Sequence, residues 1–162
     1  MNMPKLAVII LTKNEETNIV DCIRSADFAD EIIVIDSGSV DKTKQLAEGL
    51  NAKFVYHAMT EGFADQRNFA LTQTDAEWVF YLDADERVTP ATAKIREIVN
   101  GGKQAVYSVR RENIVFGQRM YYGAHRPDYA VRLAPRQAIC WTGKVHEGIQ
   151  TNYPICKMTG YL

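Results

Sequence analysis

The first hundred residues alternate short apolar runs with amphipathic stretches. Leu6-Ala7-Val8-Ile9-Ile10-Leu11 is continuously apolar and stops at Thr12-Lys13-Asn14-Glu15. Short unbroken runs of this kind form strands buried on both faces. Ile19, Cys22, Ile23 and Ala26 then recur at helical spacing, which predicts a helix over 16–26. A second apolar run, 31–35, breaks at Asp36-Ser37-Gly38-Ser39. A helix is expected over 41–50, with Ser39 as its N-cap and Leu46, Ala47 and Leu50 facing inward. Strand 53–57, helix 63–72 and strand 77–82 follow, the last ending in Asp83-Ala84-Asp85-Glu86. Thr89-Pro90 opens a further helix to about Val99, and Gly101-Gly102 ends it.

This alternation predicts an α/β fold, with an open, mostly parallel, Rossmann-like sheet and helices on both faces. The pattern changes after Gly102. Residues 105–111, 114–116 and 130–133 are short strand candidates, 139–141 is a weaker one, and no amphipathic helix is evident. The chain therefore divides into an α/β part, 1–102, and a smaller β-rich part, 103–162.

The 162 residues carry 19 Lys and Arg against 20 Asp and Glu, which excludes a strongly basic nucleic-acid binder. The near-neutral total is a cancellation. Residues 1–102 hold 10 basic and 17 acidic side chains, and residues 103–162 hold 9 and 3. The split suggests different tasks for the two parts. Three widely spaced cysteines, Cys22, Cys140 and Cys156, form no metal-binding pair and read as reduced, buried thiols. No apolar run is long enough for a membrane span or signal-peptide core, so a cytoplasmic protein is expected, with peripheral membrane contact left open.

Ligands of open parallel sheets bind beyond the carboxyl ends of the strands. Three such ends are polar here: Thr12-Lys13-Asn14-Glu15, Asp36-Ser37-Gly38-Ser39 and Asp83-Ala84-Asp85. Any one of them is equally a helix cap or a turn. Caps alone do not call for Glu15, Asp83 and Asp85 together. On an extended segment Asp83 and Asp85 point to one side and repel unless a cation lies near. A hard divalent ion with oxygen ligands suits them, and it would in turn bind a diphosphate.

Together with Ile35–Thr43 and Arg67-Asn68, these motifs resemble family 2 glycosyltransferases of the GT-A fold. Gly123-Ala124-His125-Arg126-Pro127-Asp128, Arg132-Leu133 and Gly143-Lys144-Val145-His146-Glu147 are similar to a branch with bacterial lipopolysaccharide-core β-glucosyltransferases. The resemblance implies that Thr12, Asn14 and Glu15 line the nucleotide pocket and Asp36 contacts the base, uracil. It implies that Arg67 faces the nucleotide or its diphosphate, and that Asp83 contacts the ribose or the metal shell. Asp85 would bind Mg2+ or Mn2+, with His146 near the metal. Inverting transfer needs a base for the acceptor hydroxyl. Residues 103–162 offer Glu112, Asp128 and Glu147; related enzymes carry a similar His-Glu pair, so Glu147 is the first choice and Asp128 the second.

The implied reaction moves a sugar, from UDP-glucose, to an anionic cell-envelope glycan or lipid. A haloacid-dehalogenase-type phosphatase shares the Asp-x-Asp but wants a small or β-branched residue where Arg87 stands. A nucleotidyltransferase wants a Gly-rich loop after the first strand. A nucleotide-sugar-binding module or inactive fragment is the remaining alternative, because relatives run well beyond this length and the acceptor part is open to being cut short.

Overall fold

The computed structural model describes residues 3–89, 94–112, 114–115, 118–119, 128–144 and 147–162. Parallel strands β1 (Leu6–Thr12), β2 (Glu31–Asp36), β3 (Lys53–Tyr56) and β4 (Trp78–Asp83) alternate with helices α1 (Ile19–Ser25), α2 (Thr43–Gly49) and α3 (Phe63–Leu71). Helix α4 (Ile95–Asn100) leads to β5 (Val106–Arg111), the small β6–β7 pair (Ile114–Val115, Gln118–Arg119) and β8 (Asp128–Pro135). A 3-10 turn over Arg136–Ala138, the β9–β10 hairpin (Cys140–Thr142, Gly148–Gln150) and β11 (Ile155–Tyr161) complete the order.

Seven strands form one sheet in the order β11-β5-β8-β4-β1-β2-β3. Only β8 runs antiparallel to its neighbours. It carries the sheet from the first part of the chain into the second, where β5 and β11 extend it. Alternate residues of β1 feed two separate cores. Leu6, Val8 and Ile10 join α1, α2 and α4 through Ile19, Cys22, Ala47 and Ile95. Ala7, Ile9 and Leu11 join α3 and the β9 region through Ala64, Ala70 and Trp141. Burial on both faces accounts for the unbroken apolar run.

Several local expectations change. Ser39 does not cap α2; Lys42 holds that position, and the Ser39 hydroxyl donates to Asp36 instead. The strand ends at Asp83, and residues 84–85 form a turn closed by the Glu86 N–H on the Asp83 carbonyl (2.9 Å), so Asp83 and Asp85 do not share one extended segment. All three cysteines are free, but only Cys22 is buried; Cys140 is exposed and Cys156 half-buried. Burial pushes the Cys22 thiol up to about 12, so it stays protonated and inert. Strands β10 and β11 have no counterpart in the sequence reading. Among the described residues no helix is long and apolar enough to cross a membrane. Pro90, residues 123–127 and Val145 lie outside the described residues.

Candidate active site

The carboxyl ends of β1, β2 and β4 lie on one edge of the sheet and bring the three polar clusters together. Asp36 is buried at the end of β2, where its carboxylate accepts from the N–H groups of Gly38 and Ser39 (2.9 Å each) and from the Ser39 hydroxyl. This is an Asx-type turn, and it shapes the rim of the cleft. Asn14 sits at φ +55, a conformation its short polar side chain tolerates. Its N–H donates to Ser39 Oγ (2.8 Å) and its Oδ1 accepts from the Val40 N–H (2.9 Å), so the β1 and β2 loops are laced together. Glu15 accepts from Asn18 Nδ2 (2.7 Å). Thr12 is buried, and its hydroxyl finds no partner among the described residues.

The centre of the site is a chain of ion pairs. Arg67 on α3 is only 4% exposed. Its Nε donates to Glu147 (2.5 Å) and its Nη2 to Asp83 Oδ1 (3.2 Å). Its guanidinium lies 4.8 Å from the centre of the Trp141 ring and 5.4 Å from that of Tyr81, within cation–π range. Arg132 on β8 is 2% exposed. Its Nη2 donates to Asp83 Oδ2 (2.8 Å) and Glu86 Oε1 (2.5 Å). Glu86 also accepts from the Asp83 N–H (3.0 Å). Asp83 is thus gripped on both oxygens by two buried arginines. The cations that relieve its repulsion from neighbouring carboxylates are guanidiniums of this chain.

Burial raises the Asp83 pKa, but Arg132 and then Arg67 outweigh it and hold the carboxyl below its ordinary value. The Glu86 pKa is raised, by burial first and by Asp83, against the pull of Arg132. The two acids are pushed apart, so Asp83 carries the charge that both arginines face.

Two clefts open beside this chain. One, about 490 Å³, is lined by Thr12, Glu15, Phe63 and Asp85, among others. The other, about 440 Å³, lies towards Arg111, Tyr129, Ile149 and Arg132. Arg67, Asp83 and Glu147 line both, so they form a shared wall. A larger cleft of about 650 Å³ lies at the amino ends of the strands, around Lys5, Lys53 and Thr74, away from the three clusters. Asp85 is exposed at the mouth of the first cleft and makes no hydrogen bond or ion pair among the described residues. Asp128 is taken up by Arg111, which donates from Nη2 (2.7 Å) and Nε (3.0 Å). His146 lies outside the described residues, and no group of three metal-ligating side chains is formed among those described.

Residues 7–157 match the sequence profile of glycosyl transferase family 2. The chain belongs to that family. A lipopolysaccharide core biosynthesis glycosyltransferase, LpsC, of Rhizobium meliloti is 33% identical over 158 residues, covering 91% of this chain and 58% of LpsC. An uncharacterized glycosyltransferase of Rickettsia bellii is 42% identical over 86 residues, covering 52% of this chain and 29% of that protein. The chain thus spans little more than half of LpsC and less of the Rickettsia relative. Two solved structures share the fold. S. aureus TarS 1-349 superposes with a TM-score of 0.61 at 22% identity, covering 82% of this chain and 47% of that one. Mycobacterium tuberculosis glucosyl-3-phosphoglycerate synthase, in complex with Mn2+, UDP-glucose and phosphoglyceric acid, gives 0.61 at 17% identity, covering 83% and 57%.

Within this family 2 chain, sequence reasoning gave Arg132 and Glu86 no role. Arg132 interrupts the otherwise uncharged Ala130-Val131-Arg132-Leu133-Ala134, and a lone arginine in a buried strand is the signal that points to a paired carboxylate. Trp141 is core on one side and the platform beneath Arg67 on the other. Asn68 fixes that platform. It pairs with the Trp141 backbone in both directions, Nδ2 to the carbonyl (2.8 Å) and Oδ1 from the N–H (2.9 Å).

Proposed function

We propose that this chain carries the donor site of an inverting glycosyltransferase that moves glucose from UDP-glucose to an anionic cell-envelope glycan or lipid. The observation that carries the reading is the pair of buried arginines on Asp83, set beside an exposed Asp85 at the carboxyl edge of the sheet. Arg67 has one guanidinium nitrogen, Nη1, that is buried and unpartnered among the described residues. A fixed cation with an unspent donor suits a leaving diphosphate, whose charge grows as the glycosidic bond breaks. The loops held by Asn14 and Asp36 would receive the nucleoside, with Thr12 and Glu15 lining its pocket.

The donor set fits a hard divalent ion. Asp85 offers an open carboxylate, and Mg2+ or Mn2+ binds through one or two carboxylates plus substrate phosphates. Such an ion would supply Lewis-acid stabilisation of the diphosphate. Asp83, spent on two arginines, would position that edge rather than donate to the ion directly. Glu147 would accept the proton of the acceptor hydroxyl from the shared wall. Asp128, held by Arg111 as Glu147 is by Arg67, is the second choice of base.

The acceptor would enter the second cleft, where Tyr129 offers an aromatic face and Lys157 Nζ sits 4.4 Å over its ring. The lipopolysaccharide-core function in the name of LpsC supports an envelope acceptor. We place the enzyme in the cytoplasm, in peripheral contact with the inner face of the membrane. A nucleotide-sugar-binding module is the second reading. A thermal-shift screen of UDP-, GDP- and CMP-sugars with Mn2+, followed by sugar-nucleotide hydrolysis, tests both. Selective stabilisation by UDP-glucose with turnover supports the enzyme, and binding without turnover supports the module. Stabilisation by none of the three removes the donor site.

A further inference from the structure

We infer that the Arg67–Glu147 ion pair is a latch that the donor's diphosphate opens, so that donor entry frees the base; this rests on the donor reading above. Three observations carry it. Glu147 and Arg67 stand in the wall common to both clefts, and in this state the wall is closed by their contact (2.5 Å). Transfer requires the two substrates to meet across that wall. Glu147 is also occupied: its Oε2 accepts from the Arg67 Nε–H, where an acceptor hydroxyl would have to donate. Finally, Arg67 has an alternative anchor, since Asp83 holds its Nη2 and is itself fixed by Arg132. Arg67 can exchange the Glu147 carboxylate for a phosphate oxygen and stay in place.

The exchange has a direction. A diphosphate brings more negative charge than one carboxylate, and besides the unspent Nη1 it competes for the Nε that Glu147 holds. Once displaced, Glu147 is left at the border of the acceptor cleft with its oxygens free. The base is therefore unavailable until the donor is bound.

The test compares UDP affinity, in the presence of Mg2+, for the unaltered chain, Glu147→Gln and Glu147→Asp by titration calorimetry. If the latch must be broken for UDP to bind, both variants bind UDP about two- to five-fold more tightly, the range set by a modest ion pair. Glu147→Asp is the deciding variant. It keeps the negative charge but is one methylene too short for the contact. Tightening in Glu147→Gln alone means simple repulsion of the diphosphate and overturns the latch. Equal affinity in all three chains overturns it as well, while leaving the donor site standing. Absence of UDP binding in the unaltered chain overturns the donor reading itself. Glu147 is partly exposed, so both variants are expected to fold.

Discussion

Residues 1–102 and 103–162 are built differently and meet on one line of charge. The first part is parallel strands and helices with acidic strand ends. The second is the parallel β5–β11 pair, β8 antiparallel between β5 and β4, and two short hairpins, with surplus cations. Read separately, the acidic part suggests a place for a metal and the basic part a place for an anion. The structure shows that part of the surplus is paired across the boundary. Arg132 holds Asp83 and Glu86, Arg111 approaches Glu86 (3.9 Å), and Lys144 meets Glu61 (2.6 Å). In the other direction Glu147 meets Arg67. A charge asymmetry between halves of a chain can therefore mark an internal seam as well as two ligands. In this molecule the seam runs through the site.

The seam can be broken at its most consequential point. Glu147→Gln should cut transfer by about 10²–10⁴-fold, the usual weight of a general base; transfer within threefold of normal removes Glu147 from the chemistry. Next comes the buried cation. Arg132→Met takes the shared guanidinium away from Glu86 and from Asp83, which keeps Arg67, and should cost about 3–5 kcal/mol in urea unfolding. Arg132→Lys should recover part of that loss. A cost under about 1 kcal/mol would show that the two parts are energetically independent.

A smaller effect tests where the seam's outer loop touches the first part. Gly62 has φ +94, and a β-carbon there would lie 2.5 Å from the Lys144 carbonyl. Gly62→Ala should cost about 1–3 kcal/mol and shift the approach of β10 to α3. An unchanged melting temperature would show that this contact yields freely. The smallest effect is in acid. The folded state holds the Asp83 carboxyl below its ordinary value. Its stabilisation is therefore complete above the unfolded pKa of about 3.9 and is lost as pH falls through the lower folded value. Asp83→Asn should be less stable than the unaltered chain at neutral pH, with a shallower loss below about pH 4. Parallel stability–pH curves would contradict the assignment.

The first part was legible because its signals are local. Every strand from β1 to β4 is an apolar run bounded by polar residues, and the observed ends differ from the expected ones by a single residue. The second part was less so. Strand β11 mixes Lys157 and Thr159 with Cys156 and Met158, and it is ordered by pairing with β5 some fifty residues earlier, a contact no local pattern announces. The site divides the same way. Asp83, Asp85 and Arg67 could be picked out from motifs. That Asp83 is occupied by Arg132 could not, because the pairing of β4 with β8 that brings them together is non-local. Asp36 and Asn14, expected as ligand contacts, also lace the loops together, a task no motif announces.

The central claim is that the carboxyl edge of this sheet binds a nucleoside diphosphate with a divalent ion at Asp85. Titration calorimetry of UDP, with and without Mn2+, on the unaltered chain and on Asp85→Ala tests it most directly. Binding should depend on Mn2+ in the unaltered chain and be lost in Asp85→Ala. Equal, metal-independent affinity in both chains would contradict it.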